Sequence, residues 1–244
     1  MIPKIIHYCW FGKAELPKKA LNCIASWKRF FPDYKIIEWN ESNFDVNQIQ
    51  YTKEAYAAKK YAFVSDYARF LILYEQGGLY FDTDVEVIQS MTDVLEKGAF
   101  MGCEVDGTPE EPIAVAPGLG LATMPGNAIY QELIQLYARL SFCNANGTLN
   151  TKTVVHYTTE ILLLHGLRNV TGIQQIDDLT IYPKEYFNPL DDSTGIMRKT
   201  KNTRAIHWFA KSWISPHLIL RSKVTRVFHR LFGVNCFAWL KRKK

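Results

Sequence analysis

Cysteine is scarce in this 244-residue chain. Its five cysteines, Cys9, Cys23, Cys103, Cys143 and Cys236, are odd in number, and no two fall at metal-site spacing. That argues against a disulfide framework and against a zinc site, and it fits a reducing cytosol. Long apolar runs are missing too. No stretch approaches the roughly 18 to 20 apolar residues that span a bilayer, and Met1-Ile2-Pro3-Lys4-Ile5-Ile6-His7 lacks the apolar segment of a secretion signal. Acidic residues stop at Asp192. Residues 1–192 carry 16 Lys/Arg and 24 Asp/Glu, or −8; residues 193–244 carry 13 Lys/Arg and no acid, or +13; together they give the net +5. A basic end on a mildly acidic body suits an anionic partner, nucleic acid or anionic lipid.

What is present is apolar and aromatic material, 48% and 14% of the residues, enough for the core of one domain with at most a small appendage. Lys4–Trp10 reads as a strand. A helix opens at Pro17, with Leu21, Ile24, Ala25 and Trp27 at helical spacing, and ends before Pro32. Tyr34–Trp39 reads as a second strand, so the chain starts β-α-β and favours an α/β fold with a parallel sheet. Residues 52–60 are helical in composition. Ser65 is the expected N-cap of a helix over Asp66–Gln76, which Gly77-Gly78 stops. Leu79-Tyr80-Phe81 is a short strand that delivers Asp82-Thr83-Asp84 at its end, and Val85–Ile88 continues as a strand. Further strands are expected at 99–102, 113–116 and 205–208, further helices at 128–140 and 153–164, and turns at 117–120 and 125–127.

Asp82 and Asp84 at a strand end can converge on one divalent cation. Their hard oxygens suit Mg²⁺ or Mn²⁺, which in turn bridge a diphosphate. A lone Asp-X-Asp is usually a solvated turn, but here it follows an apolar strand, the usual place for ligand sites in open α/β sheets.

The run from Ser65-Asp66-Tyr67-Ala68-Arg69 through Gly77-Gly78-Leu79-Tyr80-Phe81-Asp82-Thr83-Asp84 resembles the sugar-binding DXD region of glycosyltransferase family 32. The opening Ile2–Gly12 is similar to that family's first strand, and the likeness returns at His207–Trp213. The resemblance implies a Rossmann-like GT-A fold over 1–216 and retaining transfer of a hexose from a nucleotide-sugar to a glycan or lipid-linked acceptor. UDP-galactose or UDP-glucose is the favoured donor, with GDP-mannose the alternative. The setting implied is capsule, O-antigen or exopolysaccharide synthesis. By the same resemblance Trp10 lies against the base, Asp66 and Arg69 reach the donor sugar and its phosphate, Asp82 contacts donor ribose or sugar hydroxyls or reaches the metal through water, and Asp84 ligates the metal. His207 is a second metal ligand, and Lys211, Ser212 and Trp213 touch the diphosphate. Where the family often has Gly before the Ser, this chain has Lys211. Asp82 and Asp84 are the expected catalytic residues.

His7 reads as structural, and His156 has no assignable face. Asn150 and Thr151 are expected at the pocket's border, and the glycine-rich 116–121 near the acceptor, as a turn and not a phosphate loop. From Leu218 onward, Leu220, Val224, Val227 and Leu231 share one helix face and Lys223, Arg226 and Arg230 another. With Phe237, Trp239 and Lys241-Arg242-Lys243-Lys244 they make residues 217–244 a basic amphipathic tail. Such a tail fits an anionic membrane surface and a peripheral place on the inner face of the cytoplasmic membrane. No nucleic-acid motif accompanies it. Two competing functions are a non-catalytic nucleotide-sugar or carbohydrate binder of the same fold and a metal-dependent phosphohydrolase.

Overall fold

The computed structural model describes residues 1–210, 216–233 and 236, with the side chains of 216–220 and 222–224 left aside. In chain order the strands and helices are β1 (Ile5–Cys9), α1 (Lys18–Phe30), β2 (Lys35–Trp39), α2 (Gln50–Ala57), α3 (Tyr61–Gln76), β3 (Gly78–Tyr80), β4 (Val85–Val87), α4 (Thr92–Leu95), β5 (Ala99–Val105), β6 (Ala114–Val115), β7 (Leu121–Thr123), α5 (Ala128–Ala138), α6 (Val154–Leu164), β8 (Gln174–Ile176), β9 (Leu179–Tyr182), β10 (Ala205–His207) and α7 (Pro216–Phe232).

The main sheet runs β2-β1-β3-β7-β5-β9-β8, with β6 paired to β5. β1 is parallel to both β2 and β3, and β5 is parallel to β9. β7 lies antiparallel between β3 and β5, and β8 is antiparallel to β9. The α/β class and the β-α-β start are as expected, but the sheet is mixed where a parallel one was anticipated. The short β7 returns straight from a one-turn 3₁₀ segment (Pro117–Leu119), which leaves no crossover helix to turn it parallel. The pair β8–β9 was not read at all. Its alternation is interrupted by Asp177-Asp178, where Asp177 adopts φ 51°.

Strand alternation splits the apolar side chains into two layers. Cys9, Tyr80, Met101, Leu121 and Ile181 meet α2, α3, α5 and α6 on one face. Ile6, Tyr8, Leu79, Phe81 and Phe100 meet α1 and β4 on the other. α1 buries Ala20, Cys23, Ile24 and Trp27, whereas Leu21 and Ala25, expected on that face, are exposed. Wholly buried Trp27 satisfies its indole N–H on the Val85 carbonyl at 2.8 Å, which fixes α1 to β4. Helix α3 begins at Tyr61, so Ser65 lies inside it and not at its N-cap; its hydroxyl bonds back to the Tyr61 carbonyl at 3.3 Å.

Gly77 and Gly78 end α3 and start β3 within two residues. Gly78 sits at φ +100°, and a Cβ there would come within 2.7 Å of the Ile5 carbonyl oxygen. His7 locks this turn, as its structural reading implies. Its Nδ1 accepts from Trp39 Nε1 at 3.0 Å, so Nε2–H donates to the Gly77 carbonyl at 3.0 Å. One buried, neutral imidazole thus ties β1, β2 and the α3–β3 turn together.

Burial pushes the His7 pKa from the usual 6.5 down to about 4. In that window the unfolded chain binds a proton that the folded chain refuses. His7 stabilisation is therefore full above about pH 6.5 and declines as the pH falls toward about 4. Urea unfolding should show the stability of the parent, measured relative to His7→Gln, falling by up to about 3 kcal/mol across that window. A constant difference between the two proteins would contradict it.

Candidate active site

Ligand sites in open α/β sheets lie beyond the carboxyl ends of the strands. At that edge the chain brings together the ends of β1, β3 and β5 and the start of the 3₁₀ turn before β7. Arg69 occupies the middle. It is 3% exposed, and its Nη2 reaches Asp66 Oδ1 at 2.9 Å. Its Nε donates to the Ser65 carbonyl at 3.0 Å, and the guanidinium stands 5.0 Å from the centre of the Tyr80 ring. Both terminal nitrogens face Asp82 at 3.4 Å, an ionic contact at the outer edge of hydrogen bonding. Burial alone would lower the Arg69 pKa, but Asp82 and Asp66 more than offset it and hold the group charged. Burial raises the Asp66 carboxyl to about 7 against the pull of Arg69. It raises Asp82 as well, again opposed by Arg69. Asp82 remains 31% exposed at the side chain, open to solvent.

Asp82 is fixed from three further directions. Tyr80 donates its hydroxyl to Oδ1 at 3.1 Å. The Asp82 backbone N–H donates to the Gly118 carbonyl at 3.1 Å, and the Asp82 carbonyl accepts from Val85 N at 3.0 Å. Gly118 lies directly against the carboxylate, and a Cβ there would stand 2.0 Å from Asp82 Oδ2 and 3.2 Å from Arg69 Nη1. The glycine-rich segment therefore packs under the acidic triplet, a role its sequence did not disclose. A close approach between residues so far apart in the chain leaves no local signal except the glycine itself.

The turn at 82–85 passes the chain from the main sheet to the small β4–β10 sheet, in which His207 pairs with Val85. This places His207 Nε2 3.2 Å from Asp84 Oδ1. Ala210 N–H donates to Asp84 Oδ2 at 2.7 Å, and Trp208 N–H to the Asp84 carbonyl at 3.0 Å. Burial would raise Asp84, but His207 and the Ala210 amide win and hold it below the usual carboxylate range. Burial would lower His207, but Asp84, Asp82 and Glu104 raise it. Glu104, half-buried near the end of β5, adds to the negative field at His207, and sequence reasoning missed it.

Asp84 and His207, expected to hold a metal, thus stand side by side, and His207 Nδ1 is buried without a hydrogen-bond partner. No three His, Cys, Asp or Glu side chains among the described residues are grouped to hold an ion on their own. The Asp84 carboxylate fits Mg²⁺ or Mn²⁺ with substrate phosphates and water completing the shell, and the imidazole nitrogen of His207 favours the softer Mn²⁺. Trp10 lies past the end of β1, half-buried, with its indole N–H on the Ala14 carbonyl at 2.6 Å. Beside that loop is an open cavity of about 500 Å³ lined by Lys13, Glu41, Asn43, Asp45, Asn47 and Tyr56. Lys211, Ser212 and Trp213 fall outside the described residues. Asn150 is engaged with Tyr157 (3.0 Å), and His156 is exposed on the first turn of α6 with Nδ1 3.0 Å from Thr153 Oγ1.

Comparison with known proteins agrees with the resemblance read from the sequence. Residues 17–101 match the family described as the glycosyltransferase sugar-binding region containing the DXD motif. Inositol phosphoceramide mannosyltransferase 1 of Schizosaccharomyces pombe is 28% identical over 146 residues, 55% of this chain and 43% of that protein. An uncharacterized glycosyltransferase, L373, of Acanthamoeba polyphaga mimivirus is 32% identical over 110 residues, 41% of this chain and 42% of that protein. The chain spans less than half the length of the curated relatives it matches. Among solved structures, a glycosyltransferase involved in glycosylation of the major capsid of PBCV-1 aligns over 91% of this chain and 98% of its own, at 10% identity and TM-score 0.49. The PaToxG glycosyltransferase aligns over 67% and 69%, at 19% identity and TM-score 0.48.

The contact at Gly118 gives a direct test of this arrangement. Gly118→Ala forces the Asp82 carboxylate aside by the order of an ångström, and misplacement on that scale costs about a hundredfold in rate. If the chain releases sugar from a nucleotide-sugar, that rate should fall by this factor, and the melting temperature should fall too, because buried Arg69 loses part of its charge match. Full activity in Gly118→Ala would contradict the packing.

Proposed function

We propose that this chain is a metal-dependent, retaining glycosyltransferase that moves a hexose from a nucleotide-sugar to a glycan or lipid-linked acceptor. One observation carries the reading. A partly exposed carboxylate, Asp82, is held by buried Arg69 two residues before a carboxylate, Asp84, that contacts an imidazole, His207. The family match over 17–101 supplies the chemical class.

In this reading Asp84 and His207 hold the divalent cation. Asp82, kept in place by Arg69, Tyr80 and Gly118, accepts hydrogen bonds from donor hydroxyls. Asp66 and Arg69 present the donor-sugar side of the pocket. Trp10 offers an aromatic face to the base, with the neighbouring cavity as room for the nucleoside. Lys211, Ser212 and Trp213 are assigned to the diphosphate. The bound cation supplies one thing: it offsets the negative charge that grows on the β-phosphate as the bond to the sugar breaks. Retention is compatible with front-face attack, in which the leaving phosphate accepts the acceptor's proton, and with a covalent enzyme nucleophile.

UDP-glucose and UDP-galactose remain the first donors to test, and capsule, O-antigen or exopolysaccharide synthesis the first setting. The names of the fission-yeast relatives favour a second version, in which mannose from GDP-mannose is moved onto a lipid that carries an inositol phosphate. The same active site serves both versions.

Purified protein with Mn²⁺ should hydrolyse one of these three nucleotide-sugars slowly in the absence of acceptor. EDTA should abolish the activity, and Asp84→Ala should lower it by at least about a hundredfold. p-Nitrophenyl phosphate should be untouched. Donor binding with no turnover, seen as a Mn²⁺-dependent thermal shift alone, would favour the non-catalytic binder. Hydrolysis of the phosphate ester with the same metal dependence would favour the phosphohydrolase.

A further inference from the structure

Helix α7 turns opposite faces to the body and to solvent. At about 100° per residue, Val227, Phe228, Leu231 and Phe232 share one sector of the helix, while Arg226, His229 and Arg230 share the opposite one. The sequence reading set the basic tail as a whole against an anionic surface without choosing a face. In the structure the cationic face is turned inward. Arg226 Nη2 pairs with the Asp192 carboxylate, and its Nε donates to the Asp192 carbonyl at 2.8 Å. His229 Nδ1 donates to the Ser193 carbonyl at 3.1 Å, and Arg230 Nη2 to the carbonyls of Thr194 at 3.1 Å and Gly195 at 3.3 Å. The receiving loop is preformed. Asp191 Oδ1 accepts from Ser193 Oγ at 2.6 Å, Thr194 N at 2.8 Å and Thr194 Oγ1 at 2.9 Å.

With the arginines clamped on this loop, the apolar sector points away from the body. Val227 is 58% exposed, Phe228 43%, Leu231 68% and Phe232 69%. The two phenylalanine rings stack on each other, 6.3 Å apart and inclined by 27°. Arg221, exposed one to two turns earlier, falls on the same sector. Four large apolar side chains exposed together on one helix face, with a cation at the rim, match a helix lying in a lipid headgroup layer.

We propose that this face of α7 docks the protein on an anionic lipid bilayer, lying in its plane. Charge selects lipid over a second copy of the chain. Residues 193–244 carry 13 Lys/Arg and no acid; even with Arg226 paired to Asp192 and Arg204 to Asp93, bringing two such ends together would set like charges, exposed Arg221 on this face among them, side by side, whereas anionic headgroups neutralise them. Nothing in the docking requires a spanning segment, and no described helix is long and apolar enough to cross a membrane. The bilayer contact is independent of the transferase reading, and its test contains no nucleotide-sugar.

The full chain is sedimented with vesicles of phosphatidylcholine alone and of phosphatidylcholine mixed with phosphatidylglycerol. The parent should partition onto the mixed vesicles far more than onto the neutral ones. A double variant, Leu231→Ser with Phe232→Ser, should lose at least about tenfold in partition, since each side chain withdraws buried apolar area. Its melting temperature should match the parent's, because both positions are exposed. Equal partition of variant and parent, equal partition onto neutral vesicles, or no partition of the parent would each overturn the proposal. So would a parent dimer in gel filtration that the double variant dissociates.

Discussion

A guanidinium removed from water must find its charge matched inside the protein, and Arg69 finds two carboxylates. Removing one partner of such a buried pair costs about 3 to 5 kcal/mol, because the remaining charge has nowhere to go. Asp66 and Asp82 are therefore bound to the fold as firmly as any core side chain. Two carboxylates around one guanidinium also leave an excess of negative charge in a poorly solvated place, and burial accordingly raises both of them, Asp66 to about 7. Asp82 is the more open of the two, with 31% of its side chain exposed against 11% for Asp66. The cluster thus presents one carboxylate toward solvent and keeps the other behind it.

The two halves of the site belong to different sheets. Asp82 hangs from the main sheet through β3, whose position depends on the Gly77-Gly78 turn and the His7 imidazole behind it. Asp84 begins the small β4–β10 sheet, and through it the late part of the chain reaches the triplet. A single turn, closed by the Val85 amide on the Asp82 carbonyl at 3.0 Å, sets the spacing between them. Trp27 braces the far side of that turn through the Val85 carbonyl. Apolar packing and polar chemistry therefore share one short stretch of chain.

How much of this could be read from residues alone depended on the range of the interaction. The strand before Asp82 and the glycine stop of α3 are local, and they were legible. The return of His207 to the triplet was legible only through the family resemblance, since no local pattern links residues so distant. Gly118 was visible as a glycine but not as the neighbour of a carboxylate. The sense of β7 depended on a connection too short to reverse direction through a helix, and β8–β9 on a turn residue with positive φ. For α7 the helical wheel set Val227 and Leu231 opposite Arg226 and Arg230, as the described side chains stand. It could not say which face meets the body, because that depends on carbonyls of a loop some thirty-five residues earlier.

The proposed function rests on Asp84 and His207 being able to hold a divalent cation, next to a carboxylate held by Arg69. Anomalous diffraction at the manganese edge, from crystals grown with Mn²⁺ and a nucleoside diphosphate, tests it most directly. The account predicts a single strong peak in contact with Asp84 and His207 and with the diphosphate oxygens, and Asp82 still facing Arg69. A diphosphate bound with no anomalous peak beside Asp84, or a peak elsewhere on the molecule, would contradict it.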